Sequence, residues 1–183
     1  MQKHTNHLIK ACRKGNRKAQ MQSYDMYCQS MYTIACRYLS NEEDAKDVIQ
    51  EGFLKAFTNL KNYKETATFG AWLKRIVVNQ CIDRLKKKQF VAESLELETM
   101  QVVDDTDWQF EASITKQDIV NAIETLPEKY KLVIMLYLIE GYDHQEISKI
   151  LNIEVKTSRT QLRRAKLQLQ DLLKLKYNGT TRY

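Results

Sequence analysis

The chain has 183 residues, 43% of them hydrophobic, and a formal net charge of +6 at pH 7. That length can bury one or two small cores, and the modest basic excess suits a polyanion partner without requiring one. A single Pro and five Gly argue against a turn-rich β architecture and predict an all-α fold. No apolar run reaches the length of a signal peptide or a membrane span, so a cytoplasmic location is expected. Gly-rich phosphate loops, HExxH and nucleophile elbows are missing; no enzymatic activity of its own, no cofactor and no small-molecule substrate is expected. Cys12, Cys28, Cys36 and Cys81 form no CxxC pair, and His4, His7 and His144 complete no zinc spacing, so no metal is expected either. Cys28 and Cys36, eight residues apart, read as buried free thiols.

In chain order, the first segment, with Lys10, Arg13, Lys14, Arg17 and Lys18, reads as a solvated, helix-rich lead, with phosphate contact as the lesser alternative. Behind it Ala19, Tyr24, Tyr27, Met31, Ile34, Ala35 and Tyr38 mark an apolar stripe at helical spacing, with tyrosine hydroxyls at its rim. A second stripe follows in Ala45, Val48, Ile49, Phe53, Ala56, Phe57 and Leu60. Ser40 or Asn41 is the expected cap, Ser40 and Glu43 having capping-box spacing, and Glu42, Glu43 and Asp44 suit the positive end of the helix dipole. The opposite face, with Asp44, Asp47, Gln50 and Glu51, is acidic in a basic protein; its pattern alone fits an ordinary solvated surface. Gly52 interrupts this helix at a cost of up to about 1 kcal/mol; the close approach of a partner would explain it, and it equally fits a residue with no special role.

A polar loop, Lys61 to Thr68, leads to a helix with Phe69, Trp72, Leu73, Ile76, Val77, Cys81 and Leu85 on a broad apolar face. It runs into Arg84, Lys86, Lys87 and Lys88, which favour the helix C-terminus and offer charge to phosphates. Asn79 and Asp83 project from one side, where base edges or each other are their natural partners. Val91 to Thr115 then holds seven acidic residues and no basic one and loses the helical period, the mark of a boundary between two domains. Trp108 and Phe110 inside it are expected to pack on a domain or to open the helix leading to Ile114 and Ile119.

A second helical domain is predicted from Lys116. Pro127 fits the first turn of a helix and Gly141 its left-handed end. Asp143 and Glu146 repeat the cap spacing, Ile147, Ile150 and Leu151 give a short helix its inner face, and Asn152 is a left-handed stop. Short helix, tight turn and longer basic helix make a helix-turn-helix pattern. In the last helix Lys156, Arg159, Thr160 and Arg163 fall on one side, while Leu162, Ala165, Leu169 and Leu172 fall on the other. That layout offers guanidinium and hydroxyl groups to base edges and phosphates.

The strings DAKDVIQEGFLKAF, FGAWLKRIVVNQCIDRLKK and LPEKYKLVIMLYLIEGYDHQEISKILNIEVKTSRTQLRRAK, in this order and separation, resemble regions 2 and 4 of bacterial RNA polymerase sigma factors of the extracytoplasmic-function type, group 4 of the sigma-70 family. The resemblance runs from Leu8 to Leu173, apart from the acidic middle. It implies two small helical domains joined by an acidic linker, the second a winged-helix-like helix-turn-helix: residues 1–90 as region 2, 91–115 as linker, 116–177 as region 4 and 178–183 as a tail. It also implies three partners: core RNA polymerase, promoter DNA and an anti-sigma factor. Asp47, Gln50 and Glu51 match positions that in the family meet the clamp helices of the largest polymerase subunit. The loop Lys61 to Thr68, with Trp72, Arg75, Asn79 and Asp83, matches the part that opens the minus-10 element and holds a flipped base; Arg84 is counted with these DNA contacts. Trp72, on the apolar face, also reads as core. Arg159, Thr160 and Arg163 match the part that approaches the minus-35 element, Lys156 is counted with these DNA contacts, and the linker would follow the path of template strand and nascent RNA. Asn152, Glu154 and Lys156 stand where the family often carries Gly, Ser or Pro, so base preference at minus-35 does not transfer.

Two other classes stay open on the sequence. A stand-alone helix-turn-helix regulator would bind duplex DNA without polymerase, and a protein that sequesters polymerase would need the acidic face alone. Only the sigma reading uses the acidic face and both basic helices together.

Overall fold

A computed structural model describes residues 2–89 and 114–178. The expectations for the acidic linker, with Trp108 and Phe110, and for the tail lie outside the described residues. Among the described residues the structure is helical without a strand, and the chain divides into two compact units, Met1–Leu95 and Glu96–Tyr183.

The first unit holds α1 (Gln2–Arg13), α2 (Arg17–Tyr38), α3 (Glu42–Thr58) and α4 (Phe69–Gln89). The lead is more than a solvated segment: Lys10, Arg13 and Lys14 are exposed, but Leu8, Ile9 and Cys12 are buried where α1 packs on α2. Cys12 Sγ lies 3.3 Å from Ser23 Oγ, which gives that buried hydroxyl a partner. Asn16 caps α2 by accepting from the Ala19 amide. At α3 the cap is Asn41, whose side chain accepts from the amides of Glu43 and Asp44; the alternative through Ser40 is not used. Of the α3 stripe, Ala45, Val48, Ile49, Phe53 and Ala56 are buried, Phe57 is half-buried, and buried Leu60 falls in a short 3₁₀ turn, Leu60–Asn62.

Packing around α4 departs from the one-sided stripe. Val78 and Ile82 are buried along with Phe69, Leu73, Val77 and Cys81, whereas Trp72, Ile76 and Leu85 are half-buried. The reason is position: α4 packs on both α2 and α3, and a helix flanked on two sides needs apolar residues on two faces. Gly52 on α3 lies directly against Val77 on α4. A Cβ built there would sit 3.1 Å from Val77 Cγ2, so the glycine answers to this contact.

The second unit holds α5 (Lys116–Glu124), α6 (Glu128–Ile134), α7 (His144–Leu151) and α8 (Val155–Asn178), with a π-helical turn at Met135–Ile139 continuing α6. Thr115 and Asp118 form a reciprocal capping box on α5. Pro127 immediately precedes α6, and Gly141 turns with φ 75°. Tyr130, Val133, Ile134, Leu136, Ile147, Leu162, Ala165 and Leu169 fill the core. Along α8 the inner seam continues to Leu173, 2% exposed, and not to Leu172, 36% exposed. From Leu169 the four-residue step returns to the same face more closely than the three-residue step.

The buried thiols are Cys12 and Cys81, while Cys36 is exposed and Cys28 half-buried. This reverses the expectation for Cys36 and meets it only in part for Cys28, which lines a cleft between α2 and α3. Burial pushes the Cys81 thiol from 9.0 up to about 12. Its proton is held in the folded state at pH values where the unfolded chain releases it, so stability is fully present below about pH 9 and falls as pH rises toward 12. Urea unfolding across this range should show the decline, and Cys81→Ala should flatten it. A thiol reagent at neutral pH should label Cys36 in the native protein and reach Cys12 and Cys81 only on unfolding. Gly52→Val should lower the unfolding free energy by about 2 kcal/mol through overpacking against Val77.

Candidate functional site

On α3, Asp47, Gln50 and Glu51 are exposed on the face opposite the core, in the layout their spacing predicts. Leu54, one turn further along this face, is 66% exposed, so an apolar knob stands among the polar groups. Next to it a cleft of about 470 Å³ opens between α2 and α3, lined by Tyr24, Cys28, Tyr32, Lys46, Ile49 and Gln50.

Arg84 joins this acidic set from α4. One guanidinium nitrogen lies 3.2 Å from Asp44 Oδ1, and the other lies 3.7 Å from Asp47 Oδ2 and 3.4 Å from Glu51 Oε1. The structure therefore groups Arg84, read from sequence with the DNA contacts, with the residues read as the polymerase surface. Asp83 and Arg84 are neighbours in sequence but point about 100° apart around the helix, which separates them between two surfaces. The Asp44 and Arg84 side chains are only 16% and 25% exposed, so their ion pair is better shielded from water than its neighbours at the rim.

On another side of α4, Arg75, Asn79 and Asp83 are exposed and follow at four-residue steps, with half-buried Trp72 at the head of the row. Trp72 is core in part: its ring packs 5.3 Å from Tyr63 and 5.7 Å from Phe69 between centroids, and the rest of it stays open to solvent. Tyr63 anchors the preceding loop. Its hydroxyl donates to the Ala67 carbonyl at 2.7 Å, and its pKa is raised, first by burial and then by the Glu65 carboxylate. Glu65 adopts φ 59°, a left-handed conformation costing a residue with a Cβ about 1–2 kcal/mol. Lys61, Lys64, Thr66 and Thr68 are exposed around this aromatic floor.

In the second unit Asp143 and Glu146 complete a capping box on α7, and Asn152 ends α7 at φ 56°, ψ 49°. The turn to α8 is closed by Ile153 N–H donating to the Ser148 carbonyl at 3.0 Å. Ser158 is fully buried, with Oγ 2.9 Å from His144 Nδ1, and His144 stacks on Tyr137 at 4.9 Å. This clasp between the two helices went unread in the sequence, though one signal for it exists: Ser158 is a hydroxyl on the apolar seam of Leu162, Ala165 and Leu169. Lys156 and Arg159 are exposed, and Thr160 and Arg163 are half-buried. The Thr160 hydroxyl donates to the Lys156 carbonyl at 3.0 Å and Lys156 Nζ lies 3.0 Å from Glu154, whereas Arg163 Nε is buried without a hydrogen-bond partner.

Comparison with known proteins decides what these surfaces belong to. Residues 24–91 match the family Sigma-70 region 2, and residues 116–169 match Sigma-70, region 4. The chain is 33% identical over 179 residues to the ECF RNA polymerase sigma factor SigW of Bacillus subtilis (strain 168), covering 91% of this chain and 95% of that protein. The chain belongs to the extracytoplasmic-function RNA polymerase sigma factors. RNA polymerase sigma factor SigV of the same organism is 30% identical over 142 residues, with 75% of this chain and 80% of SigV covered. Among solved structures, the sigma factor RpoE in complex with the anti-sigma factor NepR from Bartonella quintana shares the fold with a TM-score of 0.52 at 20% identity, over 85% of this chain and 96% of that one. CnrH, solved in complex with the cytosolic domain of CnrY, gives a TM-score of 0.50 at 22% identity, over 92% and 96%. As a sigma factor the protein binds core RNA polymerase and directs promoter recognition in transcription initiation; a stand-alone regulator is not favoured. Among the described residues no helix is long and apolar enough to cross a membrane, and no cluster of three or more His, Cys, Asp or Glu side chains could hold a metal ion.

Arg84→Ala should leave Asp44, Asp47 and Glu51 facing one another. Unfolding free energy in low salt should drop by about 1–2 kcal/mol, more than for an isolated surface pair because Asp44 is largely dry. The loss should shrink in 0.5 M salt, about three times the physiological ionic strength, as screening relieves the repulsion.

Proposed function

We propose that this sigma factor divides promoter work between its two units along the surfaces just described. Residues 1–90 dock on core polymerase through Asp47, Gln50 and Glu51, with Leu54 as an apolar centre in a polar rim, the composition of a protein contact. The same unit opens the minus-10 element through the loop Lys61 to Thr68 and the row of Trp72, Arg75, Asn79 and Asp83. A half-exposed indole over a tyrosine floor supplies a stacking surface for an unpaired base, and the lysines around it supply charge for the backbone. Residues 116–177 hold the minus-35 duplex with Lys156, Arg159, Thr160 and Arg163, and residues 91–115 form the acidic linker that follows the path of template and RNA. The single observation carrying this reading is that the exposed sides of α3, α4 and α8 carry three different chemistries: acidic with an apolar knob, aromatic with polar edges, and basic.

The protein works in the cytoplasm without catalysing a reaction itself. Before release it is held by an anti-sigma factor; the likeness to two structures solved with such partners supports this at the level of fold.

Run-off transcription with purified core polymerase on genomic fragments, with and without the protein, tests the assignment. Discrete start sites dependent on the protein are expected. On such a promoter Arg159→Ala or Arg163→Ala should weaken selectivity for the minus-35 element by about tenfold, the scale of one lost base contact. The double variant Asp47→Ala/Glu51→Ala should weaken core binding in a competition assay while leaving minus-35 duplex binding unchanged. Binding to duplex DNA with no core-dependent initiation would overturn the proposal.

A further inference from the structure

Arg13 stands outside the segment matched to Sigma-70 region 2, residues 24–91, yet its guanidinium reaches a loop 50 residues further along the chain. One nitrogen donates to the Tyr63 carbonyl at 2.8 Å, and the other lies 3.4 Å from Glu65 Oε1. Between these two anchor points the backbone passes into the left-handed conformation at Glu65, φ 59°, which a residue with a Cβ keeps only when its surroundings hold it there. From the opposite side the Tyr63 hydroxyl donates to the Ala67 carbonyl, and the Tyr63 ring packs on Phe69 and Trp72. The grip needs an arginine. A planar fork can hold a carbonyl and a carboxylate in fixed relation, which a single ammonium cannot. The helix carrying it is itself anchored, through buried Leu8, Ile9 and Cys12, so the hold on the loop is a hold by the core of the unit.

We propose that Arg13 is a positioning residue for the minus-10 loop: it fixes the shape in which Lys61 to Thr68 receives an unstacked base, without contacting the DNA. This rests on the reading of that loop as the single-strand reader. A basic residue near a nucleic-acid surface has an obvious rival role as a phosphate contact, and the two roles differ in what they change. A phosphate contact weakens all sequences alike, whereas a lost loop shape alters which base is preferred.

Holoenzyme assembled from the full chain and core polymerase is titrated with single-stranded oligonucleotides carrying the non-template minus-10 sequence and each alternative base at each position. Arg13→Ala should reduce discrimination between best and worst base at one position by about tenfold, the worth of one base contact, with core affinity unchanged. Arg13→Lys should not restore it. Glu65→Ala removes one prong from the loop side and leaves α1 intact, so it tests the grip even if Arg13→Ala folds poorly; it should give part of the same loss and add little on top of Arg13→Ala. An equal loss for every sequence, with the salt slope lowered by about one, would make Arg13 a phosphate contact and overturn the positioning role. Unchanged discrimination in all three variants would overturn it as well. Lys64→Ala and Thr66→Ala separate the two levels: if they too leave base preference unmoved, the loop reading has failed and the proposal falls with it. If they shift preference while Arg13→Ala and Glu65→Ala do not, the positioning role alone is lost.

Discussion

The contact between α3 and α4 at Gly52 and Val77 governs the geometry of the first unit. With no Cβ in the way at position 52, the two helices approach closely enough for Arg84, on the far end of α4, to reach three carboxylates on α3. On the same helix Val78 and Ile82 are buried between α2 and α3, while Arg75, Asn79 and Asp83 stay exposed. One close contact thus bears on the faces of two helices: which carboxylates share a cation, which side of α4 is core, and which side stays exposed. A bulkier residue at position 52 would change spacing first and, through spacing, the placement of both proposed surfaces.

The second unit solves a different problem with local means. Capping box, left-handed Asn152 and the His144 to Ser158 hydrogen bond fix α8 against α7 over a few residues, and the buried seam fixes α8 against α6. What α8 presents outward is therefore set by backbone features and by buried residues, and hardly at all by the exposed Lys156 and Arg159 themselves. Their exposed positions can vary without disturbing the turn that aims them, which explains how departures such as Glu154 and Lys156 sit in an otherwise regular helix-turn-helix.

Local features were the legible ones. Helix periods, the caps at Asn41 and Asp143, the left-handed stops at Gly141 and Asn152, and the exposed positions of Asp47, Gln50 and Glu51 follow from residue type and spacing within a turn or two. The features that escaped depend on contacts between segments distant in the chain. Nothing near Arg84 says that Asp44 lies across from it, 40 residues away; nothing near Leu8 says that α2 will cover it; and Val78 is unremarkable until α4 is known to have neighbours on two sides. Arg13 is the extreme case, since its partners lie in a loop whose shape is itself a tertiary product. Ser158 was within reach, because a hydroxyl on an apolar seam asks for a partner, but its identity as His144 needed the turn.

The Arg84 cluster also bears on how the sigma factor and its polymerase recognise one another. The α3 carboxylates are not bare charges awaiting a cation; they already share one. Under the docking proposed above, a basic group arriving from polymerase would take over a position that Arg84 holds, and the encounter would be an exchange of counter-charges with little net gain in Coulomb energy. Affinity for that docking would then come from dehydrating exposed Leu54 and the apolar part of the cleft between α2 and α3, while the carboxylates would discriminate, rejecting any surface that offers no replacement for the guanidinium it displaces.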